Sequence, residues 1–129
     1  MSISFFISSV KPPIADYLSD YRIDSIEYEI QLKKIYPFAN FVRPKNSTYL
    51  LTWRLNNKNQ LGVDGGLQND SITISFSNGY WNTNDYILWH RLYIPEAVPL
   101  YLFDENLHII HLLKKNTTKF ELSVLLDNS

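Results

Sequence analysis

Tyr49 to Phe76 reads YLLTWRLNNKNQLGVDGGLQNDSITISF, and this stretch decides the fold. Tyr49 to Leu55 is a run of β-formers, and Asn56 to Asn59 is a polar turn. Leu61 to Leu67 is a strand broken by glycine, Gln68 to Ser71 is a second turn, and Ile72 to Phe76 alternates apolar and polar residues. Three strands in succession with short polar connections predict an antiparallel meander. Gly62, Gly65 and Gly66 weaken a plain strand, so they point to a bulge or to a close approach of another group to the backbone.

Downstream, the polar stretch Asn82 to Asp85 supplies side chains able to accept the free amides of a helix start. A helix is predicted over Tyr86 to Ile94, with apolar residues at 88, 89, 92 and 93 and a stop at Pro95; a strand is the alternative, since Tyr, Ile and Trp also form strands. Leu100 to Phe103 and His108 to Leu113 flank the Asp104-Glu105-Asn106 turn and predict a hairpin. Thr118 followed three residues later by Glu121 is a capping-box signature. It predicts a C-terminal helix over 119 to 127 with Phe120, Val124 and Leu125 as its apolar stripe.

Upstream, residues 3 to 10 suit a short strand, and Pro13 with Ile14, Tyr17, Leu18 and Tyr21 predicts a short amphipathic helix over 13 to 21. From Ser25 to Leu32 the apolar period is two, through Ile26, Tyr28, Ile30 and Leu32. That period predicts a half-exposed strand, with a helix as the alternative because Glu, Gln, Lys and Leu all tolerate one. Pro37 and Pro44 bracket the segment between them as an irregular crossing or an edge strand. The expectation is a single α+β domain over 1–129, a twisted and mainly antiparallel sheet of five to seven strands with two or three short helices packed on it, mostly on one face.

Composition narrows the functional classes. Twelve basic and thirteen acidic side chains give a net charge of -1, so no broad positive field is available for nucleic acid. The absence of cysteine excludes disulfides, thiolate metal sites and a cysteine nucleophile, and fits a cytoplasmic setting. The apolar run Ile3, Phe5, Phe6, Ile7 precedes the first basic residue, Lys11, and so reads poorly as a secretory signal. No apolar stretch is long enough to span a membrane. The aromatic content of 15% fits a β-rich core and also suits a binding surface.

Chemistry has few places to reside. His108 and His111 would share a helix face at their spacing but point to opposite faces of the expected strand, so no metal is expected. Trp89, His90, Arg91 and Tyr93 lie within one and a half helical turns. Their structural reading puts Trp89 and Tyr93 against the sheet and leaves His90 and Arg91 as a solvated flank. Asp64 before Gly65-Gly66 reads as a turn or bulge aspartate, and as a poised carboxylate only with a second titratable group beside it. Asp104, Glu105 and Glu96 form an acidic patch and Lys114, Lys115 and Lys119 a basic one, suited to setting the register of a protein partner.

No phosphate loop, nucleophile elbow, zinc signature or calcium loop is present, and no cofactor is implied. The favoured expectation is a protein-interaction domain of immunity or adaptor type rather than an enzyme, with a possible protein partner or homo-oligomer and no nucleic-acid or membrane partner. The alternative is a small-molecule binder or small enzyme with a pocket between the sheet and the Tyr86 to Ile94 helix, lined by Trp81, His90, Arg91 and Asp64.

Overall fold

The structure, a computed structural model, describes residues 4–12, 21–57, 60–77 and 83–127. In chain order the elements are β1 (Ser4–Ser8), α1 (Ser25–Ile35), β2 (Asn40–Val42), β3 (Tyr49–Asn57), β4 (Gln60–Gln68), β5 (Ile74–Ser77), α2 (Thr83–Tyr93), β6 (Tyr101–Asp104), β7 (Ile110–Leu112) and α3 (Lys119–Asp127). The strands form one antiparallel seven-stranded sheet in the order β2-β3-β4-β5-β1-β6-β7. This is the α+β architecture expected, with the meander and the hairpin in place and β1 inserted between them. Trp81 and the helix expected over 13 to 21 lie outside the described residues, apart from Tyr21, which is not helical.

Cross-strand register sorts the side chains onto two faces, because residues directly opposite one another share a face. One continuous row is Leu51, Leu67, Ile74, Ile7, Leu102 and His111; the next is Phe41, Trp53, Gly65, Phe76, Phe5 and Asp104. The aliphatic and aromatic members of these rows, Phe41 apart, are buried. Tyr28 of α1 packs on Trp53 with ring centroids 5.0 Å apart, and Tyr86 of α2 packs edge-on against Phe76 at 5.2 Å, so α1 and α2 cover this face. α3 packs against α2 and buries Leu122. The opposite row is Val42, Thr52, Gly66, Ser75, Phe6, Phe103 and Ile110.

Two adjacent glycines let a ring approach each side of β4. A Cβ on Gly65 would lie 2.8 Å from Trp53 Nε1 and 2.9 Å from the Ser75 carbonyl oxygen. One on Gly66 would lie 2.5 Å from Tyr49 Cδ1. The Tyr49 hydroxyl continues over Gly66 to Ser75 Oγ at 2.8 Å. The expected close approach is therefore aromatic, and the register of β3 and β4 also shifts between Arg54 and Asn56.

The segment expected as a strand over Ser25 to Leu32 is helical, and local chemistry explains why. Asp24 Oδ1 accepts from Ile26 N (2.9 Å) and Glu27 N (3.2 Å), Gln31 bonds Glu27 one turn away, and Lys33 and Lys34 sit at the carbonyl end. Only Tyr28 and Leu32, four apart, are buried in α1, while Ile26 and Ile30 are 65% and 48% exposed. A period-two pattern containing residues i and i+4 satisfies a helix equally well.

The reciprocal cap expected for α3 is present, with Thr118 Oγ1 accepting from Glu121 N (3.2 Å) and Glu121 Oε1 accepting from Thr118 N (3.4 Å). Its buried side chain is Leu122, whereas Phe120 is 76% exposed and Val124 also faces out. Among the described residues no helix is long and apolar enough to cross a membrane.

The two sheet edges differ. Pro37 and Pro44 flank β2, and Arg43 beside it bonds Ser25 Oγ at 3.0 Å and Glu29 Oε1 at 3.1 Å, tying that edge to α1. On β7, Leu102 pairs with His111 between bonds from Asp104 N to Ile109 O (3.4 Å) and from Leu113 N to Leu100 O (2.8 Å). Antiparallel alternation makes Leu102 and His111 the mutually bonded pair. The backbone groups of Ile110 and Leu112 therefore point away from β6.

Gly65→Ala is expected to destabilise the protein by about 1–3 kcal/mol, because the added methyl meets a backbone carbonyl that cannot step aside. Urea unfolding of the variant against the parent chain measures this, with a fall in the midpoint at unchanged slope.

Candidate functional site

α2 buries the polar side of its sequence. Thr83, Tyr86, Ile87, His90, Arg91 and, just beyond the helix, Ile94 recur at helical spacing and are all buried. Trp89 and Tyr93 are only half-buried at the margin, and Leu92 is exposed. The solvated flank expected at His90 and Arg91 is thus corrected. Both side chains find hydrogen-bond partners inside the fold, which offsets part of the cost of burying them.

His90 is fully buried. Its Nδ1 lies 2.8 Å from the Tyr86 backbone carbonyl one turn earlier, and its Nε2 lies 2.6 Å from the Tyr28 hydroxyl. A carbonyl only accepts, so Nδ1 carries the proton and Nε2 accepts from Tyr28. Burial pushes the His90 pKa down to about 4, against which the Tyr86 carbonyl raises it, so the imidazole is neutral at pH 7. Burial also raises the Tyr28 and Tyr86 phenols well above the usual tyrosine range. Aromatic rings close the cluster: Tyr28 lies against Trp53, Trp89, His90 and Tyr93 at 5.0 to 5.7 Å, and Trp89 stacks on Tyr93 at 4.9 Å. The Tyr86 hydroxyl and the Trp53 indole N–H are buried here without a hydrogen bond of good geometry, although Tyr28 and Trp53 both act on the Tyr86 phenol to lower its pKa.

Arg91 serves a different purpose. Its Nη2 donates to the carbonyls of Ile94 (3.1 Å) and Pro95 (2.7 Å), and Nη1 donates to Leu113 O (3.4 Å), so one guanidinium caps the end of α2 and pins it to the segment after β7. Nε is buried without a partner, and Glu96 acts on the cation only through space. Burial lowers the Arg91 pKa, opposed by Glu96. Arg91 forms one wall of a cavity of about 610 Å³ whose other walls include Glu96, Pro99, Leu113, Lys114 and Lys115.

The three described sequence candidates, His90, Arg91 and Asp64, do not meet in one pocket. His90 is enclosed by Tyr28, Tyr86 and Trp89, and Arg91 turns to the far end of α2. Asp64 points from the opposite face of the sheet and pairs with Arg54 at 3.0 Å, both half-exposed. Trp81 is outside the described residues. Between the sheet and the helices, Tyr28 packs on Trp53 and Tyr86 on Phe76.

Of the acidic patch, Asp104 is buried and accepts from Ile109 N at 3.0 Å; Glu96 and Lys115 approach to 3.9 Å, and Lys119 pairs with Asp85 at 2.7 Å. His108 is exposed, whereas His111 lies on β7 with Nε2 buried and unpartnered. Among the described residues no three histidine or carboxylate groups are placed to hold a metal ion. Tyr28 was not singled out in the sequence, though its spacing of four from Leu32 marks it as the buried face of a helix. No protein family, curated protein or solved structure matches the chain.

Because the folded protein resists protonating His90 while the unfolded chain accepts a proton near pH 6.5, stability is complete above about pH 6.5. It falls as the pH drops toward 4. The loss amounts to about 3 kcal/mol. Urea midpoints between pH 7.5 and 4.5 should fall in the parent and change less in His90→Gln. Tyr28→Phe should cost about 1–3 kcal/mol at neutral pH by leaving Nε2 unsatisfied, and calorimetric melting of the two proteins measures it.

Proposed function

We propose that this chain is a protein-interaction domain that takes up an extended segment of a protein partner along the β7 edge. The observation that supports the reading is the outward direction of the Ile110 and Leu112 backbone groups, beside side chains that are 40% and 41% exposed. A strand laid there gains main-chain hydrogen bonds, and its alternate side chains meet the sheet face opposite α1 and α2. On that face Phe6 stacks on Phe103 with centroids 5.3 Å apart, next to Ile110 and the half-buried Tyr101. The partner segment is therefore apolar at alternate positions and carries no charge over the Phe6–Phe103 pair, where a charge would be desolvated without a counterion. The other edge is disfavoured by its flanking prolines and by Arg43. A reducing, cytoplasmic setting belongs to the same reading and rests on the cysteine-free composition.

Leu112→Pro tests it. Proline deletes a donor that β6 does not use, so the sheet should survive with a small loss of stability while strand addition is blocked. A partner captured by the parent protein should protect the Ile110 and Leu112 amides from hydrogen exchange and should be lost from the variant. Sedimentation that shows dimers for the parent and monomers for the variant would make that partner a second copy. A partner bound equally well by Leu112→Pro overturns the proposal.

A further inference from the structure

We infer that the cavity at the C-terminal end of α2 binds a small amphipathic anion, an oxyanion head on an apolar body. The cavity borders the β7 edge at Leu112, but its argument rests on charge and is independent of strand addition. The wall residue Arg91 is a buried guanidinium held by three carbonyls, with no carboxylate in hydrogen-bond contact and only Glu96 acting on it through space. Lys114 and Lys115 border the same space, which sets three cations against the single carboxylate of Glu96. The Glu96–Lys115 pair is long, at 3.9 Å, and both side chains are mostly exposed, so a ligand anion can displace it at little cost.

The remaining wall is apolar where it matters. Ala97, Pro99 and Leu113 give the body of a ligand a surface from which water is readily displaced. The volume of about 610 Å³ suits a molecule of metabolite size rather than a bare ion. The turn carrying the lysines is ordered, with Lys114 N donating to Thr117 Oγ1 (2.9 Å) and Thr117 N donating to Lys114 O (3.0 Å). Only the flexible lysine stems therefore need to order on binding. Arg91 acts as a fixed charge in the wall, and the ammonium groups close on the oxyanion from the rim. A carboxylate and a phosphate monoester share this chemistry.

The probes are phenyl phosphate, benzoate and neutral benzyl alcohol, titrated into the full chain and followed by amide chemical shifts. Both anions should move Ala97, Leu113 and Asn116, and benzyl alcohol should bind at least tenfold more weakly. A preference for phenyl phosphate identifies a phosphate ligand, and parity with benzoate identifies a carboxylate. In Lys114→Ala/Lys115→Ala, two exposed positions whose change leaves the fold intact, anion affinity should fall about tenfold. Raising the salt concentration should weaken binding by the parent more than by the variant. Equal binding of benzyl alcohol, unchanged affinity in the double variant, or no shift at these residues overturns the inference.

Discussion

The buried hydrogen bond from the Tyr28 hydroxyl to His90 Nε2, 2.6 Å long, is the constraint on which the layer above the sheet depends. It joins α1 to α2 across 62 positions of sequence at the point where both helices meet Trp53 and Phe76. One tautomer satisfies it, because the Tyr86 carbonyl claims the proton on Nδ1. A polar pair in an otherwise apolar core narrows the ways the helices can lie, since any slide of either one leaves a buried nitrogen and a buried hydroxyl unpartnered. Trp53 can sit under this pair only because Gly65 opposite it has no side chain.

The same arrangement separates the titratable residues from one another. His90 is withdrawn into the core and held neutral, Asp64 is turned to the opposite face beside Arg54, and Arg91 is drawn to the end of α2 by three carbonyls. On the readings proposed above, recognition lies at the periphery, in the β7 edge with its aromatic neighbours and in the cationic cavity beside it. The two use different forces. Main-chain pairing with apolar side chains serves the first, and charge over a small apolar floor serves the second.

Local sequence chemistry carried much of this fold into view. The meander from Tyr49 to Phe76 is legible because its turns are rich in Asn, Asp and Gly between β-forming runs, and the C-terminal helix is legible because Thr118 and Glu121 cap it within four residues. α1 was hidden by Ile26 and Ile30, apolar side chains that face solvent and complete a false alternation, even though Asp24 and Glu27 carried the signature of a helix start. The inward face of α2 was hidden because hydropathy places Trp89 and Leu92 inside before His90 and Arg91. The partners that reverse this, Tyr28 and the carbonyls of Ile94, Pro95 and Leu113, are mostly remote or belong to a helix end whose position had to be known first.

The amino-acid sequence by itself determined the class of fold, the strands that pair across short turns and the helix bounded by its own cap, because these rest on contacts between residues a few positions apart. Tertiary structure alone decided the placement of β1 between β5 and β6, which side of α2 is buried, and the gathering of Arg91, Lys114 and Lys115 around one cavity. Each of these depends on pairings far apart along the chain. Such pairings are selected by what the assembled core can bury and satisfy together, a property that no local pattern contains.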